Sequence, residues 1–230
     1  MFEDKARFAE FTTALRTVRW WRAISLPLTR RRPVVPLFRL SLTGIALRAY
    51  VDVATEARGC RRLVEKTPHN VGFTEHLLAC FPRAKLLYVI RHPVDTLSSY
   101  RRRHSAEPGA SWTAVSVDDF CQRWESSVQL AARHARRHPH SFLIVRYETF
   151  AGAPETSFAD ICAFVEEPFV AGALMEAPGG YGAWKIDPHL FGPIVDSTKT
   201  WPDYLSVAEG SAVEDRLAEP MAAFGYDRYT

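Results

Sequence analysis

Apolar positions recur along the chain in two rhythms, and the change between them divides it. From Phe2 to about Ile24 they fall at Phe8, Phe11, Leu15, Val18 and Trp21, a spacing of three or four that predicts a helix with one apolar face. A connection punctuated by proline, Pro27 to Pro36, precedes a second helical stretch, roughly Leu40 to Arg58, which Gly59 ends. The opening quarter is therefore read as helical.

Past Arg61 the apolar runs shorten. RLVEKTP (62–68) reads as a strand stopped by Pro68, and Asn70 to Cys80 as a helix with Phe73, Leu77 and Leu78 on one side. In AKLLYVIR (84–91), Leu86 to Ile90 form an unbroken apolar run, which predicts a strand buried on both faces. Pro93 sits where a first helical turn would begin. Val117 to Arg137 carries Phe120, Trp124, Val128 and Ala131 in helical register; SFLIVRYE (141–148) is a third strand, and Pro154 to Val165 a further helix. Strand, helix, strand, helix, strand is the pattern of a parallel sheet covered by helices. After Pro168 the pattern weakens into EAPGGYGAW (176–184) and KIDPHLFGP (185–193), read as loops, before an amphipathic helix over about Val207 to Phe224. The chain has no internal repeat.

A length of 230 residues suits one sizeable core, so a single domain over 1–230 is expected: a helical segment over 1–61, a strand-and-helix core over 62–150, and a helix-and-loop segment over 151–230. With 47% hydrophobic and 24% charged residues the composition is globular and excludes disorder over most of the chain. Twenty-nine Lys and Arg against 26 Asp and Glu give a net charge of +3, too mild to imply nucleic acid, and no such partner is expected. Arginine clusters in TRRRP (29–33), SYRRRH (99–104) and ARHARRH (132–138), which suits either an anionic ligand or solvated helix faces. Cys60, Cys80, Cys121 and Cys162 form no CxxC pair, so there is no zinc template, and they read as thiols of a reducing compartment. MFEDKARFAE lacks the apolar run of a secretory signal, and Arg39 and Arg48 interrupt the apolar stretch 33–53, so no membrane span is expected and the reading is soluble and cytoplasmic.

Two sets of residues stand where chemistry collects. In an α/β sheet ligands bind outside the carboxyl ends of the strands, and Arg91 stands at such an end with a planar fork of donors suited to phosphate or carboxylate. Ser99, eight residues on, can add a hydroxyl donor; the alternative is that Arg91 pairs with Asp95 or another acid at the edge of the core. In VEKTPHN, Glu65 and Lys66 point to opposite sides of a regular strand. Glu65 or His69 there can serve as general base toward a hydroxyl, the alternative being a structural pairing of Glu65 with Lys66 or an arginine.

Taken together, EKTP (65–68), FPRAKLLYVIRHPVDTLSS (81–99) and LIVRYETF (143–150) followed by a helix resemble the sulfotransferases that use 3′-phosphoadenosine 5′-phosphosulfate (PAPS). The resemblance spans Val64 to Val165, with an echo in DSTKTWPDYL (196–205) and FGY (224–226). It implies an α/β, three-layer P-loop-like fold and transfer of a sulfuryl group from PAPS to a hydroxyl or amine of a small-molecule or glycan acceptor, without a metal. Carried over by motif, Arg91 and Ser99 hold the nucleotide 3′-phosphate, and Tyr147 lies near the adenine, with Thr149 in place of the family's usual Asp. Glu65 takes the place of the catalytic base, with His69 the second candidate because cytosolic members place a histidine just after the equivalent Lys-Thr. Lys199 and Trp201 resemble the late loop that closes over the nucleotide.

The departure from the family concerns its first strand and the Gly- and Ser/Thr-rich loop whose N–H groups hold the 5′-phosphosulfate. Before Val64 there is no GxxxxGK[ST], and Gly44 and Gly59 stand alone in helical stretches. The sheet is accordingly expected to lack its first central strand. Three explanations follow: an N-terminally shortened enzyme, a non-catalytic nucleotide-binding or interaction protein derived from that fold, or another segment or partner chain filling the gap.

Overall fold

The computed structural model of the chain describes residues 42–57, 59–60, 62–106, 113–173 and 200–230. The helix expected over 2–24 and the loops expected over 176–193 lie outside the described residues. Helix α1 (Leu42–Glu56) matches the second helical stretch, and Gly59 follows it at φ +60, the left-handed conformation that glycine adopts without steric cost.

The strand expected over 62–68 is not formed: residues 62–67 are irregular and exposed. Arg62 ties this segment elsewhere, donating from Nη1 to the Val165 carbonyl at 2.6 Å and pairing through Nε with Glu167 at 2.6 Å, so the segment is drawn toward the end of a later helix. The helix expected from Asn70 resolves into a 3-10 turn (Pro68–Phe73) and a short α2 (Thr74–Cys80).

Strands β1 (Leu86–Ile90) and β2 (Phe142–Arg146) are parallel and directly hydrogen-bonded, in register from Leu86 opposite Phe142 to Ile90 opposite Arg146. Among the described residues β1 and β2 are direct neighbours with no strand between them, so their facing backbone groups are satisfied. Helices α3 (Pro93–Ala106) and α4 (Val117–Arg137) form the crossover that parallel pairing requires. Ser116 caps α4, its Oγ accepting from the Asp119 N–H at 3.1 Å, and Asp118 and Asp119 at the start with Arg136 and Arg137 at the end complement the helix dipole.

β1 is not buried on both faces. Ile90 is 2% exposed and Tyr88 bonds through its hydroxyl to Ser127 Oγ of α4 at 2.7 Å, whereas Leu87 and Val89 are 44% and 61% exposed. Successive strand side chains point to opposite faces, and the described helices cover one of them. On that face Ile90, Val94, Leu97, Phe120, Trp124 and Val128 pack with Trp201, Val213, Leu217 and Met221 into one core.

The strand expected over 141–148 stops at Arg146: Tyr147 and Glu148 instead open a short helix, α5 (Tyr147–Gly152), which α6 (Pro154–Val165) follows. After a 3-10 turn (Trp201–Asp203), the single helix expected over 207–224 is split into α7 (Val207–Arg216) and α8 (Ala218–Ala223). Pro220 explains the break: it has no N–H to offer the Arg216 carbonyl, and its ring would collide with that carbonyl in a continuous helix. The cysteines are all free, and burial pushes the Cys121 thiol up to about 11, which leaves it unreactive. Among the described residues no helix is long and apolar enough to cross a membrane.

Candidate functional site

The register of the sheet builds the site. Because Ile90 lies opposite Arg146, the next residues, Arg91 and Tyr147, leave the sheet side by side, and the Arg91 guanidinium sits 4.6 Å from the centre of the Tyr147 ring. The Arg91 carbonyl accepts from Trp124 Nε1 at 3.2 Å and from Thr96 Oγ1 at 3.4 Å, which fixes the turn into α3. Two predicted nucleotide-binding residues are thus brought together at the carboxyl end of β1. Ser99 is half-buried two turns along α3, the helix whose N-terminus opens at that same end.

His92, which the sequence reading passed over, is fully buried beneath this corner. Its Nδ1 accepts from the Val94 N–H at 3.3 Å, which leaves Nε2 to donate to the Asp227 carbonyl at 3.0 Å. Tyr229 stacks on the ring at 3.7 Å between centroids and Tyr226 meets it edge-on at 5.4 Å. Burial lowers the His92 pKa below its ordinary value, outweighing the Asp227 bond and the pull of Asp95, Glu214 and Glu148. A neutral imidazole clamped at both nitrogens is a structural wedge.

Glu148 is the second residue that the sequence reading missed. Its carboxylate accepts from the His92 backbone N–H at 2.7 Å and from the Tyr226 hydroxyl at 3.0 Å, and so bridges the ends of β1 and β2 to the C-terminal tail. An acid directly after Tyr147 at a strand end was the available signal. The tail is pinned further: buried Glu214 accepts from the backbone N–H of Tyr229 at 2.5 Å and of Thr230 at 3.2 Å, and Tyr229 donates its hydroxyl to Asp95 Oδ2 at 3.1 Å. The tail approaches β2 closely at Gly225 (φ +69), where an added Cβ would lie 3.3 Å from Arg146 Nη1. Burial, reinforced by the neighbouring Glu148 and Asp95 carboxylates, raises the pKa of the Tyr226 and Tyr229 phenols respectively and keeps both protonated.

Glu65 belongs to the exposed segment before the 3-10 turn, where its two carboxylate oxygens accept from Thr67 Oγ1 and Asn70 Nδ2. These neighbours, rather than Lys66, fix its orientation, and Asn70 was not singled out from sequence. His69 is exposed on the same turn. Trp201 is 7% exposed and packs in the core, close enough to Gly210 that a Cβ there would meet its ring at 3.3 Å. Lys199 lies outside the described residues. A shallow hollow lined by Leu143, Val145, Arg146, Thr149, Ser157 and Asp160 includes neither Arg91 nor Ser99, so the strand-end corner is the better candidate site.

Comparisons with known proteins bear on this geometry. The model of a family described as the sulfotransferase family matches residues 16–171. An uncharacterized protein of Aquifex aeolicus (strain VF5) is 25% identical over 114 residues, 47% of this chain and 14% of that protein, so the chain spans a small fraction of this relative's length. Among solved structures, the sulfotransferase domain from the curacin biosynthetic pathway aligns with a TM-score of 0.50 at 17% identity, over 86% of this chain and 82% of that one. At that identity the likeness concerns the fold, and it agrees with a P-loop-like α/β architecture.

Proposed function

Since the chain belongs to the sulfotransferase family, we propose that the carboxyl end of β1 binds a 3′-phosphoadenosine nucleotide, and that the reaction served is sulfuryl transfer from PAPS to a hydroxyl or amine of a small-molecule or glycan acceptor. The observation that supports this most is the Arg91 guanidinium held against the Tyr147 ring at a strand end where a helix begins. In this reading Arg91 and Ser99 take the 3′-phosphate, and Tyr147 offers its ring to the adenine. Lys199 and Trp201 belong to the closing loop, which the buried Trp201 ring anchors to the core. Glu65, oriented by Thr67 and Asn70, takes the acceptor proton as the acceptor atom attacks sulfur, with His69 as the other candidate for that role. The bond from sulfur to the 5′-phosphate oxygen breaks in line, and 3′-phosphoadenosine 5′-phosphate leaves. Positioning and electrostatics carry most of the rate in such a transfer, as for phosphoryl groups.

A second reading, a protein that binds the nucleotide without transferring the group, is favoured by one observation: the 230 residues contain no GxxxxGK[ST] loop to hold the 5′-phosphosulfate. Both readings require the nucleotide site. Calorimetric titration with 3′-phosphoadenosine 5′-phosphate is expected to show binding that Arg91→Ala weakens by about 1.5–3 kcal/mol, the worth of a charged hydrogen bond. Absence of binding, or binding indifferent to the substitution, overturns the assignment. Turnover of PAPS with a panel of acceptors then separates the two readings.

A further inference from the structure

On the far side of α4 from its capped start, three ligating side chains converge. Glu75 stands in the first turn of α2, and His134 and His138, four residues apart, share a face at the end of α4. The ligand atoms of all three lie within 4.8 Å of one another. Glu75 Oε1 is 3.0 Å from His138 Nε2 and 3.5 Å from His134 Nδ1. Tetrahedral zinc with bonds of about 2.0–2.1 Å sets its ligand atoms about 3.3 Å apart, a span the two separations bracket; without an ion the 3.0 Å contact is a hydrogen bond between His138 Nε2 and Glu75, whose proton a bound ion would displace. We propose that Glu75, His134 and His138 form a binding site for a divalent transition-metal ion of the zinc class, with water as the fourth ligand, which clasps α2 to the last turn of α4.

The chemistry of the donors supports this. His134 is 6% exposed, and its Nδ1 is buried and takes part in no hydrogen bond among the described residues. That atom lies 3.5 Å from Glu75 Oε1, where a shared ion would satisfy both. The C-terminal end of a helix adds a favourable field for a cation. The opposing groups are Arg137, whose Nη1 is 3.4 Å from Glu75 Oε1, and the more distant Arg133. The Arg137 side chain is 67% exposed and can swing into solvent when a dication takes its place.

The site is independent of the nucleotide and would anchor the helix that follows Glu65 and Asn70. The test uses the tag-free full chain, stripped of metal by a chelator. Titration with Zn²⁺ is expected to show one equivalent bound, and Co²⁺ to give the intense visible bands of a four-coordinate site. Loss of an orienting partner typically costs about 10–100-fold in metal affinity, so removal of a ligand by His138→Ala or Glu75→Gln is expected to cost at least about 100-fold. The exposed His140→Ala should change nothing. Arg137→Ala discriminates further: it should tighten metal binding by removing a competing charge, whereas a plain ion-pair cluster would only lose a partner. No binding of either metal by the wild-type chain, equal binding by His138→Ala, or no gain with Arg137→Ala overturns the proposal. The wild-type titration stands whether or not a variant folds.

Discussion

In the sequence RHP, Arg91 draws the eye, yet it is His92 that the fold holds at both ring nitrogens and on one ring face. Keeping that ring neutral has a consequence for stability. The pKa values of His92 and His134 are both lowered from 6.5 by burial, so on acidification the unfolded chain takes up protons that the native chain refuses. Stability then rises with pH across the window below 6.5, is fully present above it, and is lost as pH falls through that window toward the native pKa values. Glu75 acts in the same direction, but only below its ordinary value of 4.5. Urea midpoints are therefore expected to be lower at about pH 5.5 than at about pH 7.5, a range set by histidine's ordinary titration. A flat profile, or one that rises toward acid, would contradict the neutral, buried state of these rings.

The helices near the C-terminus show how local chemistry sets boundaries. Ser206 opens α7 with a capping box: its Oγ accepts from the Glu209 N–H at 3.2 Å while the Glu209 carboxylate accepts from the Ser206 N–H at 3.0 Å. Ser206→Ala should cost about 1 kcal/mol and lower the melting temperature by a few degrees. An unchanged melting curve would mean that the cap is redundant. β1 shows the opposite case. Five consecutive apolar side chains carry no alternation from which to read a solvent face, and the exposure of Leu87 and Val89 emerges only when the covering helices are placed.

Across the whole chain, the last five residues close the structure. His92 and Asp227 are 135 positions apart in sequence and in contact, and Glu214, fully buried, takes its hydrogen bonds from Tyr229 and Thr230. Removal of residues 226–230 strips a buried carboxylate of its donors and uncovers the His92 ring. The expected loss is about 3–5 kcal/mol, a large share of a typical domain's stability, and chemical denaturation would measure it. Glu214→Gln keeps the tail and should lose less, about 1–3 kcal/mol. A truncated chain as stable as the full one would show that the tail only decorates the core.

Helices 117–137 and 154–165, the strand run that ends at Ile90 with the turn at Arg91, and the existence though not the end of the strand before Tyr147 were legible in the residues themselves, because periodicity, caps and prolines act over a few neighbours. Arg91, Ser99 and Tyr147 are proposed from motif, which likewise lies within a few neighbouring residues. That Arg91 and Tyr147 meet depends on the β1–β2 register. That 62–67 forms no strand depends on where Arg62 finds its partners. The roles of Glu148 and Glu214, and the meeting of Glu75 with His134 and His138, depend likewise on segments that arrive from 15 to 78 positions away. Local pattern specifies which backbone a segment can adopt, whereas burial, pairing and the sharing of a carboxylate are decided by distant chain and are settled only when the molecule closes.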